Sequence, residues 1–210
     1  MSDHQFVIRM HPGLVSFGAN EGVLRDAEEL SARLPENCRL VRPTEEVSSY
    51  SLADLAAVGI VYYTTLGLEM AARGQQVVAV AKGWYAHAGF CRFVEDARDY
   101  ERAVRAASAR ARAEPADLEV ARGAHRFLYH YFGDLSLPFP LVREEPMHCG
   151  KPSWRRTSEL LPGRDAVLDR LCAALLEDRD VYPHARADDA TRTEQDERAY
   201  FSGLGARAAA

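Results

Sequence analysis

The chain is short of everything that would mark it as exported or metal-stapled. Its four cysteines, Cys38, Cys91, Cys149 and Cys172, are scattered through 210 residues with no Cys-x-x-Cys pair, which gives no sign of a zinc knuckle or a disulfide framework and fits a reducing cytoplasm. No apolar run approaches the roughly 20 residues needed to span a bilayer. The opening Met1 to Gln5 lacks a cationic stretch followed by an apolar block, so the expectation is a soluble, unexported protein. Positive charge is also in deficit: 26 Lys and Arg stand against 31 Asp and Glu, a formal charge of −5. A sequence-independent nucleic-acid binder needs a basic face to neutralise phosphates, so nucleic acid is not an expected partner. The pair Arg155-Arg156 reads as solvated surface. Apolar periodicity is missing from Ala185 to Arg198, and Ser202 to Ala210 is small and rich in Gly and Ala. The segment 185–210 is therefore expected to be a disordered tail without a function of its own.

What is present is enough apolar sequence, 47% of the chain, to bury one sizeable core in one or two domains. Four short apolar runs, Phe6 to Met10, Cys38 to Val41, Val58 to Tyr63 and Val77 to Ala81, are continuous rather than alternating. Strands covered on both faces read this way. Helical stretches lie between them: Asn20 to Leu34, Glu46 to Ala57, and Thr65 to Arg73 closed by Gly74. Strands alternating with helices predict an α/β domain over residues 1–113, a Rossmann-like open parallel sheet with right-handed crossovers and helices on both faces. A helix is predicted from Val94 to Arg112, with Ala97, Tyr100, Val104 and Ala107 near helical spacing, before a break at Glu114-Pro115. Residues 114–184 then read as a helical extension that packs on this domain or on a partner domain. It holds an aromatic helix from Asp117 to Phe132 ended by Gly133, the apolar Leu137-Pro138-Phe139-Pro140, and an amphipathic helix from Arg164 to Glu177. That last helix places Val167, Leu168, Leu171, Cys172, Leu175 and Leu176 on one face.

In open parallel sheets the ligand sits at the carboxyl ends of the strands, where loops and helix starts converge. The turn after the third strand carries the most information. Thr64 and Thr65 followed by Gly67 open a helix whose unpaired N–H groups and positive dipole end suit an anion. Ordinary capping by Thr, with Gly67 permitting close helix-to-sheet packing, is the competing explanation. Glu69 lies one or two positions too late for a reciprocal capping box, which leaves its carboxylate to accept from ribose hydroxyls. His11, held in a loop by Pro12-Gly13, and Arg9 could each donate to a phosphate or a sugar carboxylate. Lys82 and Tyr85 follow the fourth strand, where either could touch a ligand. His87, His125, His130 and His148 form no metal-like spacing, and His125 and His130 point to different helix faces; no metal or other cofactor is expected.

Several blocks occur in an order with its own meaning. Val7-Ile8-Arg9-Met10-His11-Pro12-Gly13, Val47-Ser48-Ser49-Tyr50-Ser51-Leu52, Val61-Tyr62-Tyr63-Thr64-Thr65-Leu66-Gly67-Leu68-Glu69, and Gln76-Val77-Val78-Ala79-Val80 with Trp84-Tyr85 and Gly89-Phe90 follow one another through the first hundred residues. This series resembles the capsule polysaccharide biosynthesis and export proteins, which include GT-B-like transferases of 3-deoxy-manno-octulosonic acid built from two Rossmann domains. The resemblance implies the C-terminal, nucleotide-sugar-binding half of such a glycosyltransferase. It also implies a CMP- or UDP-linked donor as substrate and a cytoplasmic location open to peripheral association with inner-membrane machinery. Arg9, Thr64, Thr65, Gly67, Glu69 and Tyr85 would bind the donor, and His11 would be the catalytic group. Tyr63 stands where the family has Asn, Thr64 where it has Ser, and Gln75-Gln76 where it has Lys-Pro. The acceptor half has no counterpart in this sequence, so an N-terminal acceptor-domain or capsule-assembly protein is the implied partner, and the chain alone is expected to be incomplete as an enzyme. Two other readings share the architecture: a non-catalytic module of a capsule synthesis or export complex, and a sugar-nucleotide epimerase-like domain, for which the chain offers no acid/base set.

Overall fold

A computed structural model of the chain describes residues 1, 3–16, 21–114, 116–145, 149–181 and 199. The expected helix start at Asn20, the break at Pro115, His148 and, apart from Ala199, the expected tail at 185–210 lie outside the described residues. The chain divides into two compact units, Met1–Ala121 and Arg122–Ala210. None of the described helices is long and apolar enough to cross a membrane.

The first unit is mixed α/β. In chain order it holds β1 (Phe6–Arg9), α1 (Gly13–Ser16), α2 (Glu21–Ser31), β2 (Cys38–Val41), α3 (Ser49–Leu55), β3 (Val58–Val61), α4 (Leu66–Ala72), β4 (Gln76–Ala79), β5 (Arg92–Phe93) and α5 (Tyr100–Ala113). All four strands read from the sequence are present and parallel. Their hydrogen bonds, however, form two sheets where one open sheet was expected. β1 pairs with β2, Phe6 opposite Cys38, while β3, β4 and β5 form a separate three-stranded sheet with Val58 opposite Gln76 and Val78 opposite Arg92. The strands are four residues long or shorter, and the middle of β1 is open, with Val7 52% exposed. β5 was not expected at all, because two residues are too few to show a period.

The three-stranded sheet has a helix on each face, as the continuous apolar runs implied. Successive side chains of a strand point to opposite sides. On one side Val78 packs with Val94, Ala103, Val104 and Ala107, and Phe6, Val58 and Tyr100 close the edges of this cluster. The small residues of α5 let its backbone approach the sheet. On the other side α4 lies so close that a side chain at Gly59 would meet Met70 Sδ at 2.7 Å. Leu68 and Met70 are buried there. Full burial of a side chain such as Leu68 or Val78 is worth about 1.5–3 kcal/mol.

Asp117 ties this unit together at the amino ends of β4 and β5. Its side chain is 1% exposed. Oδ1 accepts from the N–H groups of Glu119 and Val120 at 3.1 and 3.2 Å, the bonds of a helix N-cap, and so starts α6 (Leu118–Leu128). Oδ2 accepts from Arg110 Nε at 2.6 Å and from Gln76 Nε2 at 3.0 Å. The Asp117 N–H donates to Gly74 O at 3.0 Å. Gly74 has φ +80°, and a Cβ there would lie 2.9 Å from the Asp117 backbone, so its predicted role in ending α4 holds for two reasons.

The boundary between the units falls inside α6. In the second unit the expected aromatic helix changes character: Tyr129–Asp134 is a π-helical turn, with His130 Nδ1 2.6 Å from Asp134. An antiparallel hairpin of β6 (Val142–Glu145) and β7 (Cys149–Pro152) follows, which the polar sequence did not announce. α7 (Ala166–Glu177) is capped by Asp165, whose carboxylate accepts from Val167 and Leu168 N–H. The apolar face read from the sequence is open at its end, with Leu175 and Leu176 86% and 84% exposed.

Burial raises the Asp117 pKa, but hydrogen bonds from Val120, Arg110 and Gln76 outweigh it and hold the group below its ordinary value of 3.8. A depressed folded-state pKa means that the stabilisation is present above 3.8 and is lost as pH falls below that value. Asp117→Ala is expected to cost about 2–4 kcal/mol, since it removes a cap and two side-chain hydrogen bonds at once. Urea unfolding at pH 7 and pH 3 checks this: the gap between wild type and variant should shrink in acid.

Candidate functional site

The carboxyl edge of the three-stranded sheet is built by the Thr64 turn and the loop after β4. β3 ends at Val61, and Tyr62 and Tyr63 bend away with both rings largely in solvent. Thr64 Oγ1 then accepts from Leu66 N–H at 3.2 Å, while Thr65 occupies the cap position of α4 without a side-chain cap bond. One threonine hydroxyl is thus spent on the turn itself, and the residue at the cap position does not cap the helix through its side chain. The other hydroxyl is exposed.

Gly67 and Tyr85 form one packing unit. The Tyr85 hydroxyl donates to Thr64 O at 2.5 Å, and a Cβ at Gly67 would come within 2.5 Å of that hydroxyl and 3.0 Å of Val61. Glycine is needed here so that a buried phenol can reach the turn. Tyr85 also stacks on Phe90, with centroids 6.0 Å apart, and meets Trp84 edge-on at 5.2 Å. Burial pushes its pKa up to about 12. It is placed to hold the turn, with its hydroxyl already committed to Thr64. The enclosed space behind the turn, bounded by Tyr62, Tyr63, Thr64, Trp84 and Tyr85, is only about 10 Å³, enough for one water. A larger ligand at this edge rests on the outer surface.

Glu69 lies one turn into α4 and is half-buried. It makes no cap; its carboxylate lies beside the Tyr50 hydroxyl on α3 and raises the Tyr50 pKa. Arg73 follows one turn later and pairs with Asp54 at 3.3 Å. Tyr50 is the partner that sequence reasoning missed. It stood inside the Ser48-Ser49-Tyr50 block, but only the docking of α3 beside α4 gives it a role. Ser48 caps α3 by accepting from Ser51 N–H, and Gln75 Nε2 ties off its end by donating to Ala53 O and Ala56 O at 2.8 and 2.9 Å. The Gln75-Gln76 pair therefore does more than open β4: Gln75 fixes α3 and Gln76 reaches Asp117.

Arg9 and His11 belong to the separate β1–β2 pair, and no hydrogen bond among the described residues joins them to the Thr64 turn. An Arg9 Nη1 donates to Arg42 O, while its buried Nε has no partner among the described residues. His11 is exposed, and its Nδ1 accepts from Gly13 N–H at 3.0 Å, which assigns the proton of the neutral ring to Nε2. Lys82 pairs with Glu95 at 2.9 Å in solvent. Cys91 is half-buried, donates to Tyr85 O and Ala86 O, and has its pKa pushed up to about 11 by burial, so it rests as a thiol and not as a nucleophilic thiolate. No group of His, Cys, Asp and Glu among the described residues is arranged to hold a metal ion.

No protein-family model, curated protein or solved structure matches the chain.

Gly67→Ala should cost about 1–3 kcal/mol by forcing Tyr85 off the turn, and Tyr85→Phe about 1 kcal/mol by removing one hydrogen bond. Because both act on the same contact, the double variant should be less destabilised than the sum of the two, measured by urea unfolding. Additive losses would show that Gly67 and Tyr85 are independent.

Proposed function

We propose that this chain is the nucleotide-sugar-binding domain of a glycosyltransferase of surface-polysaccharide synthesis, a Rossmann-like half of a GT-B arrangement. The observation that carries the reading is the joint placement of the Thr64-Thr65 turn at the carboxyl end of a parallel strand and of Glu69, beside Tyr50, on the helix that follows. The order of sequence blocks from Arg9 to Phe90 supports it independently. In this reading the Thr65 hydroxyl meets a donor phosphate, and the rings of Tyr62 and Tyr63 offer stacking surfaces to the base. Glu69 accepts from ribose hydroxyls. Arg9 supplies positive charge and the Nε2–H of His11 a hydrogen bond to the leaving phosphate once the donor spans from one parallel pair to the other. A CMP- or UDP-linked sugar is the substrate class, and an acceptor-binding partner protein completes the enzyme in the cytoplasm or at the inner face of the membrane.

Calorimetric titration with CMP, UDP and their sugar conjugates tests this. Binding is expected, weakened about tenfold or more by Glu69→Ala, which takes away a charged hydrogen-bond acceptor, and less by Thr65→Ala, which removes a neutral hydroxyl. Folded protein that binds none of these nucleotides at about millimolar concentration removes the reading.

One observation favours a second reading, a non-catalytic module of a capsule assembly. Tyr129, Tyr131 and Phe132 are all exposed on the π-helical turn of the second unit, and clustered exposed aromatics mark protein interfaces. A protein that binds no nucleotide but elutes with a capsule-assembly protein in size-exclusion chromatography would favour the module over the transferase.

A further inference from the structure

The amino ends of β4 and β5, opposite the edge just described, border an open cavity of about 640 Å³. That volume lies within the range of small-molecule sites. Every residue lining it belongs to the first unit. Its apolar wall is made by Phe90, Ala106, Ala107 and Val120. Its polar rim is made by Gln76, Arg92, Arg110 and Glu119.

Two of these rim groups are held from behind. Arg110 Nε and Gln76 Nε2 both donate to the same buried oxygen of Asp117. A fork fixed through Nε keeps its two terminal nitrogens, four N–H donors in one plane, free for a planar acceptor. The Arg110 side chain is 56% exposed despite this anchor. Among the described residues Arg92 has no ionic partner. Buried support behind a guanidinium that borders a cavity is how anion-recognising arginines are oriented.

We infer that this cavity binds a small organic carboxylate with an apolar body, its carboxylate on Arg110 and Arg92 and its body against Phe90 and Val120. Inorganic phosphate is a poorer fit: it would leave the apolar wall wet, and its second charge would face Glu119. The site is independent of the nucleotide reading, since it lies at the other end of the strands and shares none of the residues proposed to bind the donor.

The test is a titration of benzoate and, separately, of inorganic phosphate into the isotope-labelled full chain, followed by NMR at the Ala107 and Val120 methyls and at the Arg110 Nε–Hε. Benzoate should shift all three saturably, while phosphate should leave the methyls unmoved. Two variants that leave Asp117 and its bonds intact locate the effect. Arg92→Gln should weaken benzoate binding several-fold. Ala106→Phe, at an exposed α5 position on the cavity wall, should abolish it with the melting temperature kept. The inference is overturned if benzoate produces no saturable shift by about 10 mM, if phosphate moves the methyls equally, or if Ala106→Phe binds benzoate as wild type does.

Discussion

One buried carboxylate organises the first unit. Asp117 is bonded on both oxygens to four donors that come from β4, from the last turns of α5 and from the start of α6, and its own N–H fastens the turn at Gly74. A charge in a nearly dry site is tolerable only when its hydrogen bonds are complete. The same requirement makes each partner's position dependent on the others. Gly74 must carry no side chain, because a Cβ would meet the Asp117 backbone, and Gln76 must begin the strand so that its amide reaches the carboxylate.

Tyr85 plays a corresponding part at the other end of the strands. Its hydroxyl pins the Thr64 turn, its ring stacks on Phe90, and its carbonyl accepts from Cys91 Sγ. The connection from β4 to β5 is therefore held by side-chain packing where a longer parallel crossover would use a helix. Phe90 then forms part of the wall of the cavity at the amino ends. A shift at the Thr64 turn has a packed route, Tyr85 to Phe90, to that wall.

Much of this was legible in the sequence because it rests on local rules. The runs Phe6 to Met10, Cys38 to Val41 and Val58 to Tyr63 each contain a strand, Val77 to Ala81 overlaps one that starts a residue earlier, and Gly74 marks a helix end. What escaped were features set by tertiary contact. β5 is two residues long and exists because Val78 and Ala79 offer it a partner. The split into two sheets depends on which strand edges meet, which an apolar run does not encode. Tyr50 and Asp117 were invisible as a Glu69 partner and a central tie, since a polar residue near a helix start reads the same whether it faces solvent or a buried arginine. Tyr85 was read as a ligand group because its position after a strand is right for one, and its burial shows only in three dimensions.

The carboxyl edge also limits how an anion could be held there. α4 has seven residues, so few peptide dipoles add up along its axis, and the Leu66 N–H is already bonded to Thr64. A longer helix with an open first turn would present several amides and a fuller partial charge. The charge on any phosphate at this edge must then be met chiefly by side chains, of which Lys82 is already paired with Glu95 and Arg9 sits on the other parallel pair. Recognition at this edge would draw on groups from both parallel pairs, which a nucleotide-linked sugar, with its phosphate, ribose and sugar hydroxyls, can engage together and an isolated phosphate cannot.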